Sequence, residues 1–407
     1  MIEMMGNNQS GQLTEEDLKI YYPKPTSAMK LQILSFLLFA LLIPSATAQG
    51  GLGSTAIVSP EVADDNRVTF RLWAPKASSV KVSGDFGAEA AMQKGENGVW
   101  SVTIGPLDPE EYIYYYLLDS VRLLDPYNPR VKVGYVTTTT VSLLEVPARE
   151  PAFYDVQQVP HGEIRTHLYQ SESNQVVREL TVYVPPGYDE NPSKRYPVLY
   201  LLHGFANDHH SWHRYGRAND ILDNLLARKA IDPFIVVMPL GYGGAHVNGD
   251  GTGLPPEGGG FRRDAGLYER DILEDIIPLI EKKYRTIADR KHRAIMGFSM
   301  GGGQAGRYGL GNLDMFSYIG IMSAGMGNGT DSEPLKSLAA DPEKANEQID
   351  LLWVACGKDD FAFEGAKTFS ENLKQIGIKH SFHQTEGEHH WRVWRRYLRD
   401  VAPLLFK

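Results

Sequence analysis

From about residue 55 the chain alternates apolar and polar positions with a period of two. Val68, Phe70 and Leu72 are interleaved with Thr69 and Arg71. Val80 and Val82 flank Lys81, Trp100, Val102 and Ile104 repeat the spacing, and 112–118 is a longer aromatic run. Period two marks a strand with one buried face. Turn-forming groups separate these runs: Asp64-Asp65-Asn66, Ala74-Pro75-Lys76, Gly95-Glu96-Asn97-Gly98 and Pro106-Leu107-Asp108-Pro109. Short strands so spaced predict a β-sandwich over 55–147. The stretch 148–160 carries prolines and no period, and predicts a linker. From 161 to 407 the pattern changes. Segments 164–169 and 177–183 predict an antiparallel pair. Unbroken apolar strands at 196–202, 234–238, 294–296, 318–322 and 351–355 alternate with helical patterns, and 379–385 predicts one more strand. In 271–284, Ile272, Ile276, Leu279, Ile280 and Tyr284 share one helix face, and Trp391, Trp394, Leu398 and Val401 do so in the last helix. Fully apolar strands between helices imply a mostly parallel sheet covered on both faces.

Ahead of the sandwich, an apolar run at 31–43 follows Lys30 and ends near Ala46-Thr47-Ala48. A basic start, an apolar core and a small-residue cleavage site predict a signal peptide at 29–48, with 1–28 as an extension in front of it. The run is short for a bilayer span. The expectation is a secreted or periplasmic protein, free of the membrane after cleavage. Cys356 is the single cysteine, so no intrachain disulfide can form. A net charge of −9 argues against a nucleic-acid partner.

The densest chemical signal is Gly297-Phe298-Ser299-Met300-Gly301, where an apolar strand runs into a small-residue helix. Gly-x-Ser-x-Gly at a strand–helix junction is the pattern of a nucleophile elbow: the turn is tight, and side chains two positions either side of the serine would collide. Ser299 is therefore the candidate nucleophile. It needs a base, and the base needs an orienting carboxylate, each on a loop after a later strand. Two loops qualify: Cys356-Gly357-Lys358-Asp359-Asp360 and Glu386-Gly387-Glu388-His389-His390. The residues alone leave each neighbouring pair open. The oxyanion needs two backbone N–H donors. Met300 follows the nucleophile, and Phe205 lies in the turn after His203-Gly204. The glycine-rich segment 241–266 is expected to wall the substrate cleft. His209, His210 and His213 lie in a polar loop without a carboxylate set at ligand spacing, so they read as solvated and no metal is expected. Asn248-Gly249-Asp250-Gly251 lacks the closing glutamate of a calcium loop.

Several motifs together resemble carbohydrate esterase family 1, which includes feruloyl and acetyl xylan esterases. They are Leu201-Leu202-His203-Gly204, Gly216-Arg217-Ala218-Asn219, the elbow through Gln304, Asn312-Leu313-Asp314, Cys356-Gly357-Lys358-Asp359-Asp360 and His389-His390-Trp391-Arg392-Val393-Trp394. The resemblance implies Asp360 as the acid and His389 as the base, and puts Asp271 near the acyl pocket. Trp212 and Tyr242 are then candidates for an aromatic wall against a phenolic acyl group. Residues 68–75, 80–86, 98–100, 112–116 and 125–127 resemble the family 48 carbohydrate-binding module, an immunoglobulin-like domain, in which Trp73, Trp100 and the tyrosines serve the core or a glycan. The expected architecture is α/β: an α/β-hydrolase domain behind an immunoglobulin-like β-sandwich. The expected activity is that of a secreted serine esterase acting through an acyl-enzyme on feruloyl esters of plant cell-wall arabinoxylan or its oligosaccharides, without a cofactor. Acetyl xylan esterase and mycolyltransferase-like transfer to a sugar are the alternatives.

Overall fold

The computed structural model describes residues 57–134, 140–243, 265–325 and 333–407. The predicted extension and signal peptide lie outside these residues, as do 244–264 of the glycine-rich segment and with them the motif at 248–251. Among the described residues no helix is long and apolar enough to cross a membrane.

The period-two region folds into two antiparallel sheets around one core. One sheet has the order Glu61–Val62, Val68–Trp73, Val99–Ile104, Gln93–Lys94. The other has the order Ala90–Ala91, Val80–Gly84, Glu110–Leu118, Val141–Val146, Val131–Lys132. Phe70 pairs with Val102 and Leu72 with Trp100, and Val82 pairs with Tyr116. The apolar partner of each alternation faces inward, so Val68, Phe70, Leu72, Val80, Val82, Tyr112, Tyr114 and Tyr116 share the core. Buried hydroxyls need acceptors. Asp125, itself buried, accepts from Tyr114 at 2.8 Å and Tyr116 at 3.1 Å. Trp100 belongs to the core, its Nε1 donating to the Ala74 carbonyl at 2.9 Å, whereas Trp73 is 56% exposed.

The second half is built on eight strands: β1 (Glu163–Ser171), β2 (Val176–Val184), β3 (Val198–Leu202), β4 (Ile235–Pro239), β5 (Arg293–Phe298), β6 (Tyr318–Met322), β7 (Leu351–Gly357) and β8 (Ser381–Thr385). Their spatial order is β1-β2-β4-β3-β5-β6-β7-β8. β1 and β2 are antiparallel, as are β2 and β4. The other neighbours are parallel. Along β3, Val198, Tyr200 and Leu202 enter one core while Leu199 and Leu201 enter the other. A strand covered on both faces needs an apolar residue at every position, hence its unbroken run in the sequence. The parallel strands point their C-terminal ends at one edge, where the chemistry of an open α/β sheet gathers. The helix predicted at 271–284 is π-helical over Asp271–Ile276 and α-helical over Ile277–Lys283. Pro278 has no N–H to close an ordinary turn there.

Two further helices matter for the site: α1 (Met300–Gly311) and α2 (Trp391–Val401). α2 meets the sandwich through buried charge. Arg395 is fully buried, donates to Glu110, and lies 4.4 Å over the Tyr154 ring. Its other nitrogen donates to the Tyr215 carbonyl at 3.1 Å and lies 3.6 Å from Glu111. Around this pair, Arg217 approaches Glu111 at 3.7 Å, Tyr215 Oη accepts from the Val133 N–H at 3.2 Å, and His390 approaches Asp85 at 3.6 Å.

Candidate active site

Ser299 lies between β5 and α1, as the N-cap of α1, with φ 54° and ψ −121°, a backbone region that residues with a Cβ seldom adopt. Packing forces it. A Cβ at position 297 would lie 2.5 Å from the Gly301 carbonyl oxygen, and one at 301 would lie 2.5 Å from that of His203. The Ser299 N–H donates to Met322 of β6 at 2.9 Å. The serine therefore stands at the N-terminus of α1, where the helix dipole favours negative charge.

Asp360 follows β7 and His389 follows β8. His389 Nδ1 lies 2.9 Å from each Asp360 oxygen. The Asp360 side chain is fully buried, and the Ala362 N–H donates to it at 2.8 Å. Burial alone would raise this carboxyl. The hydrogen bonds from His389 and Ala362 outweigh it and hold the group below its ordinary value. A carboxylate at Nδ1 keeps the proton there and leaves Nε2 as the basic nitrogen. The histidine ring meets Trp394 edge-on at 5.0 Å, and Trp394 stacks on Phe298 at 3.8 Å, one residue before Ser299. Asp359 is exposed. His390 turns away, with Nε2 2.7 Å from Glu388. Of the two ambiguous pairs, the fold brings together Asp360 and His389.

Phe205 and Met300 lie three residues beyond Leu202 and Gly297, which pair across β3 and β5. His203, the first residue after β3, is 1% exposed. Its Nε2 accepts from the Gly241 N–H at 2.8 Å, so Nδ1 carries the proton and donates to the Gly204 carbonyl, also at 2.8 Å. Burial pushes its pKa down to about 4. Gln304 of α1 donates to the Gly241 carbonyl at 2.9 Å. Arg178 of β2 donates to the carbonyls of Leu240 and Tyr242. Three buried or half-buried side chains thus hold 240–242, the foot of the glycine-rich segment. The sequence reading assigned none of them this task. The available signal for Arg178 was a lone cation in the apolar run of β2.

Two expectations, for Trp212 and for the histidines, need correction, and Tyr242 and Asp271 lie buried. Trp212 is 1% exposed; its Nε1 donates to Leu202 at 3.0 Å, and its ring packs edge-on against Phe298 and Trp391. It fills the core under the elbow rather than walling a cleft. Tyr242 is also buried, beside His203 at 5.3 Å. Asp271 is fully buried in an ion pair with Arg178 at 3.0 Å and accepts from Tyr169 and Ser171 at 2.8 and 2.6 Å. Its work is to fix Arg178. Among the described residues the exposed aromatics at the site are Phe205, 40% exposed, and Phe361, 82% exposed with its ring 4.3 Å from that of His389. Phe361 was missed, although it directly follows the acid. Finally, the histidines expected in solvent are partly buried. His209 Nε2 lies 3.1 Å and His210 Nε2 3.5 Å from Glu179 of β2. Burial pushes His209, His210 and His213 down to about 4. The loop folds back onto a strand 30 residues upstream, which local spacing could not reveal.

Residues 171–405 match the family model described as "Putative esterase". Residues 52–128 match carbohydrate-binding module 48, the isoamylase N-terminal domain. The chain is 33% identical over 356 residues to an endo-1,4-beta-xylanase/feruloyl esterase of Xylanibacter ruminicola. The alignment takes in 86% of this chain and 46% of that protein, so the chain spans less than half the length of this relative. A solved ferulic acid esterase aligns with TM-score 0.52 and 30% identity, over 61% of this chain and 99% of its own. The enterobactin esterase from Shigella flexneri shares the fold with TM-score 0.61 and 17% identity, over 83% of this chain and 92% of its own. Because the family model accounts for more than half of the residues, the chain belongs to this esterase family, on an α/β-hydrolase fold with a module 48 domain at its N-terminal side.

Proposed function

We propose that the protein is a secreted serine esterase that releases feruloyl and related hydroxycinnamoyl groups from plant cell-wall arabinoxylan or its oligosaccharides. The observation that carries the reading is the Asp360–His389 pair, joined through Trp394 and Phe298 to the strained Ser299. Ser299 Oγ attacks the ester carbonyl while His389 Nε2 takes its proton. The resulting oxyanion accepts from the N–H groups of Phe205 and Met300, at the N-terminus of α1. Collapse expels the sugar alcohol, which recovers the proton from His389. Water then attacks the acyl-enzyme with the same base, releasing the free acid and restoring the serine. No cofactor enters either half. Support for the acyl group comes from the relatives named for feruloyl and ferulic acid esterases, and from the apolar faces of Phe205 and Phe361. Support for secretion is the signal-like pattern of 29–48.

The test is turnover of methyl ferulate, p-nitrophenyl acetate and acetylated xylan side by side, with Ser299→Ala as control. We expect methyl ferulate to give the highest kcat/KM, and the serine variant to lose essentially all turnover while keeping its circular dichroism. Preference for acetylated xylan would replace feruloyl by acetyl. Acyl transfer to an added sugar in place of free ferulate would make the protein a transferase. Activity surviving in Ser299→Ala would end the serine mechanism.

A further inference from the structure

Glu179 and Thr181 alternate onto one face of β2, with the buried Arg178 and Leu180 on the other. The loop leaving β3 folds over that face. Its backbone is fixed locally: Asp208 Oδ1 accepts from the His210 N–H at 3.0 Å and the Ser211 hydroxyl at 2.8 Å. Two imidazole nitrogens then converge on one carboxylate oxygen. His209 Nε2 is 3.1 Å and His210 Nε2 3.5 Å from Glu179 Oε1, and one ligand atom from each of the three residues lies within 4.8 Å of the others. Ligands at about 2.0–2.2 Å from a tetrahedral ion stand roughly 3.3–3.6 Å apart, so the His210 separation matches an edge of such a polyhedron and the His209 separation falls slightly short of one.

We infer that Glu179, His209 and His210 form a binding site for a zinc-type divalent cation. The donor set of two neutral imidazoles and one carboxylate suits zinc among the common cations, whereas calcium and magnesium need more oxygens. The outer contacts of His210 fit as well. With Nε2 on the ion, His210 Nδ1 carries the proton, and both His213 Nε2 and Thr181 Oγ1 lie 3.3 Å from it as acceptors. Such a contact orients a ligating histidine. Three protein ligands leave a position for water. The site is separate from Ser299, Asp360 and His389. Its ligands end the loop that begins at Phe205, so a bound ion clamps that loop to β2.

The test uses the untagged full-length chain, stripped with chelator and dialysed against zinc chloride and then zinc-free buffer at pH 7.5. Metal content is read by mass spectrometry, and cobalt(II) serves as a second probe. We expect one equivalent of zinc per chain, the visible bands of four-coordinate cobalt, and a melting temperature raised by about 3–5 °C at a hundredfold excess of zinc over Kd. Glu179→Gln and, separately, His210→Ala should abolish retention. Should one variant fail to fold, the other and the wild-type cobalt spectrum still decide. A wild-type chain that retains no zinc and shows no cobalt bands overturns the inference and leaves a hydrogen-bonded cluster. Zinc retained equally by a folded variant overturns it too, because the ion then sits elsewhere.

Discussion

Replacing Glu110 by glutamine removes one negative charge from a place solvent barely reaches. Glu110 is 4% exposed and its partner Arg395 is fully buried. The guanidinium would keep its charge, the Tyr215 carbonyl, and Glu111 at 3.6 Å. Breaking a buried ion pair from one side costs about 3–5 kcal/mol, because the other charge is left uncompensated. Glu111 is a partial substitute, which puts the expected loss at about 3 kcal/mol. Residues 58–407 form one compact unit, and roughly 350 residues unfolding together carry about 0.7 kcal/mol per degree near the midpoint. The melting temperature should therefore fall by about 4 °C. Urea unfolding followed by tryptophan fluorescence measures the free energy directly. The double variant Glu110→Gln with Arg395→Met removes both charges, and should be less damaged than Glu110→Gln alone. A single variant melting within a degree of wild type, or a double variant as damaged as the sum of its parts, would refute the idea that this pair couples the sandwich to α2. The same pair makes simple deletion of the sandwich a poor probe of glycan binding, since deletion would strand Arg395.

Further outcomes follow from the same contacts. Asp360→Asn should lower kcat by several orders of magnitude by disturbing the His389 tautomer, and the exposed Asp359→Asn should leave it within about twofold; steady-state assays on methyl ferulate separate the two. Trp212→Ala should cost about 3–5 kcal/mol in urea unfolding, as a large core side chain does. A loss confined to KM would instead return Trp212 to the cleft. His203 is held neutral with a pKa of about 4, below its ordinary value near 6.5. The folded state then binds fewer protons than the unfolded one, so the contribution is complete above pH 6.5 and is lost as pH falls towards 4. Between pH 7.5 and 5 that loss is about 2 kcal/mol. The difference between wild type and His203→Gln, which keeps a donor and an acceptor, should shrink by that amount at pH 5. Phe361→Ala should raise KM for methyl ferulate more than for p-nitrophenyl acetate, because only the former presents a phenolic acyl ring.

The sheets were legible because burial repeats along them. β3 is covered on both faces and reads as an unbroken apolar run, and Val68, Phe70 and Leu72 are covered on one and read as alternation. Ser299 was legible because its strain demands glycine at 297 and 301. From the residues alone Asp360 and His389 could be narrowed only to neighbouring pairs, and the family resemblance made the choice, since which of two adjacent side chains turns inward depends on what receives it. Asp360 turns towards His389, whereas His390 is taken by Glu388. Buried ion pairs were illegible. Asp271 and Arg178 lie about 90 residues apart, Glu110 and Arg395 nearly 300, and a lone charge looks the same in sequence whether it meets water or a distant partner. Trp212 was misread because an aromatic in a polar loop carries no mark of the cavity it fills.

The helix that carries Arg395 begins two residues after His389, and this bears on how the sandwich could serve the catalyst. Glu110, Glu111 and Asp85 of the sandwich contact Arg395, Arg396, His390 and Arg217 of the hydrolase domain. A flexible linker would leave a carbohydrate-binding domain free to hold substrate at many distances, with an effective concentration set by linker length. Buried, directional contacts do the opposite and hold one orientation. A glycan contact at an exposed aromatic such as Trp73 would then present the chain to the hydrolase domain in a single register. Remote contact of that kind favours polymer over small esters, since only the polymer reaches both places. Trp73→Ala leaves the ionic junction intact. It should lower ferulate release from arabinoxylan without changing turnover of methyl ferulate. Equal rates for variant and wild type on the polymer would remove Trp73 from substrate binding and leave the sandwich as a brace for the helix behind His389.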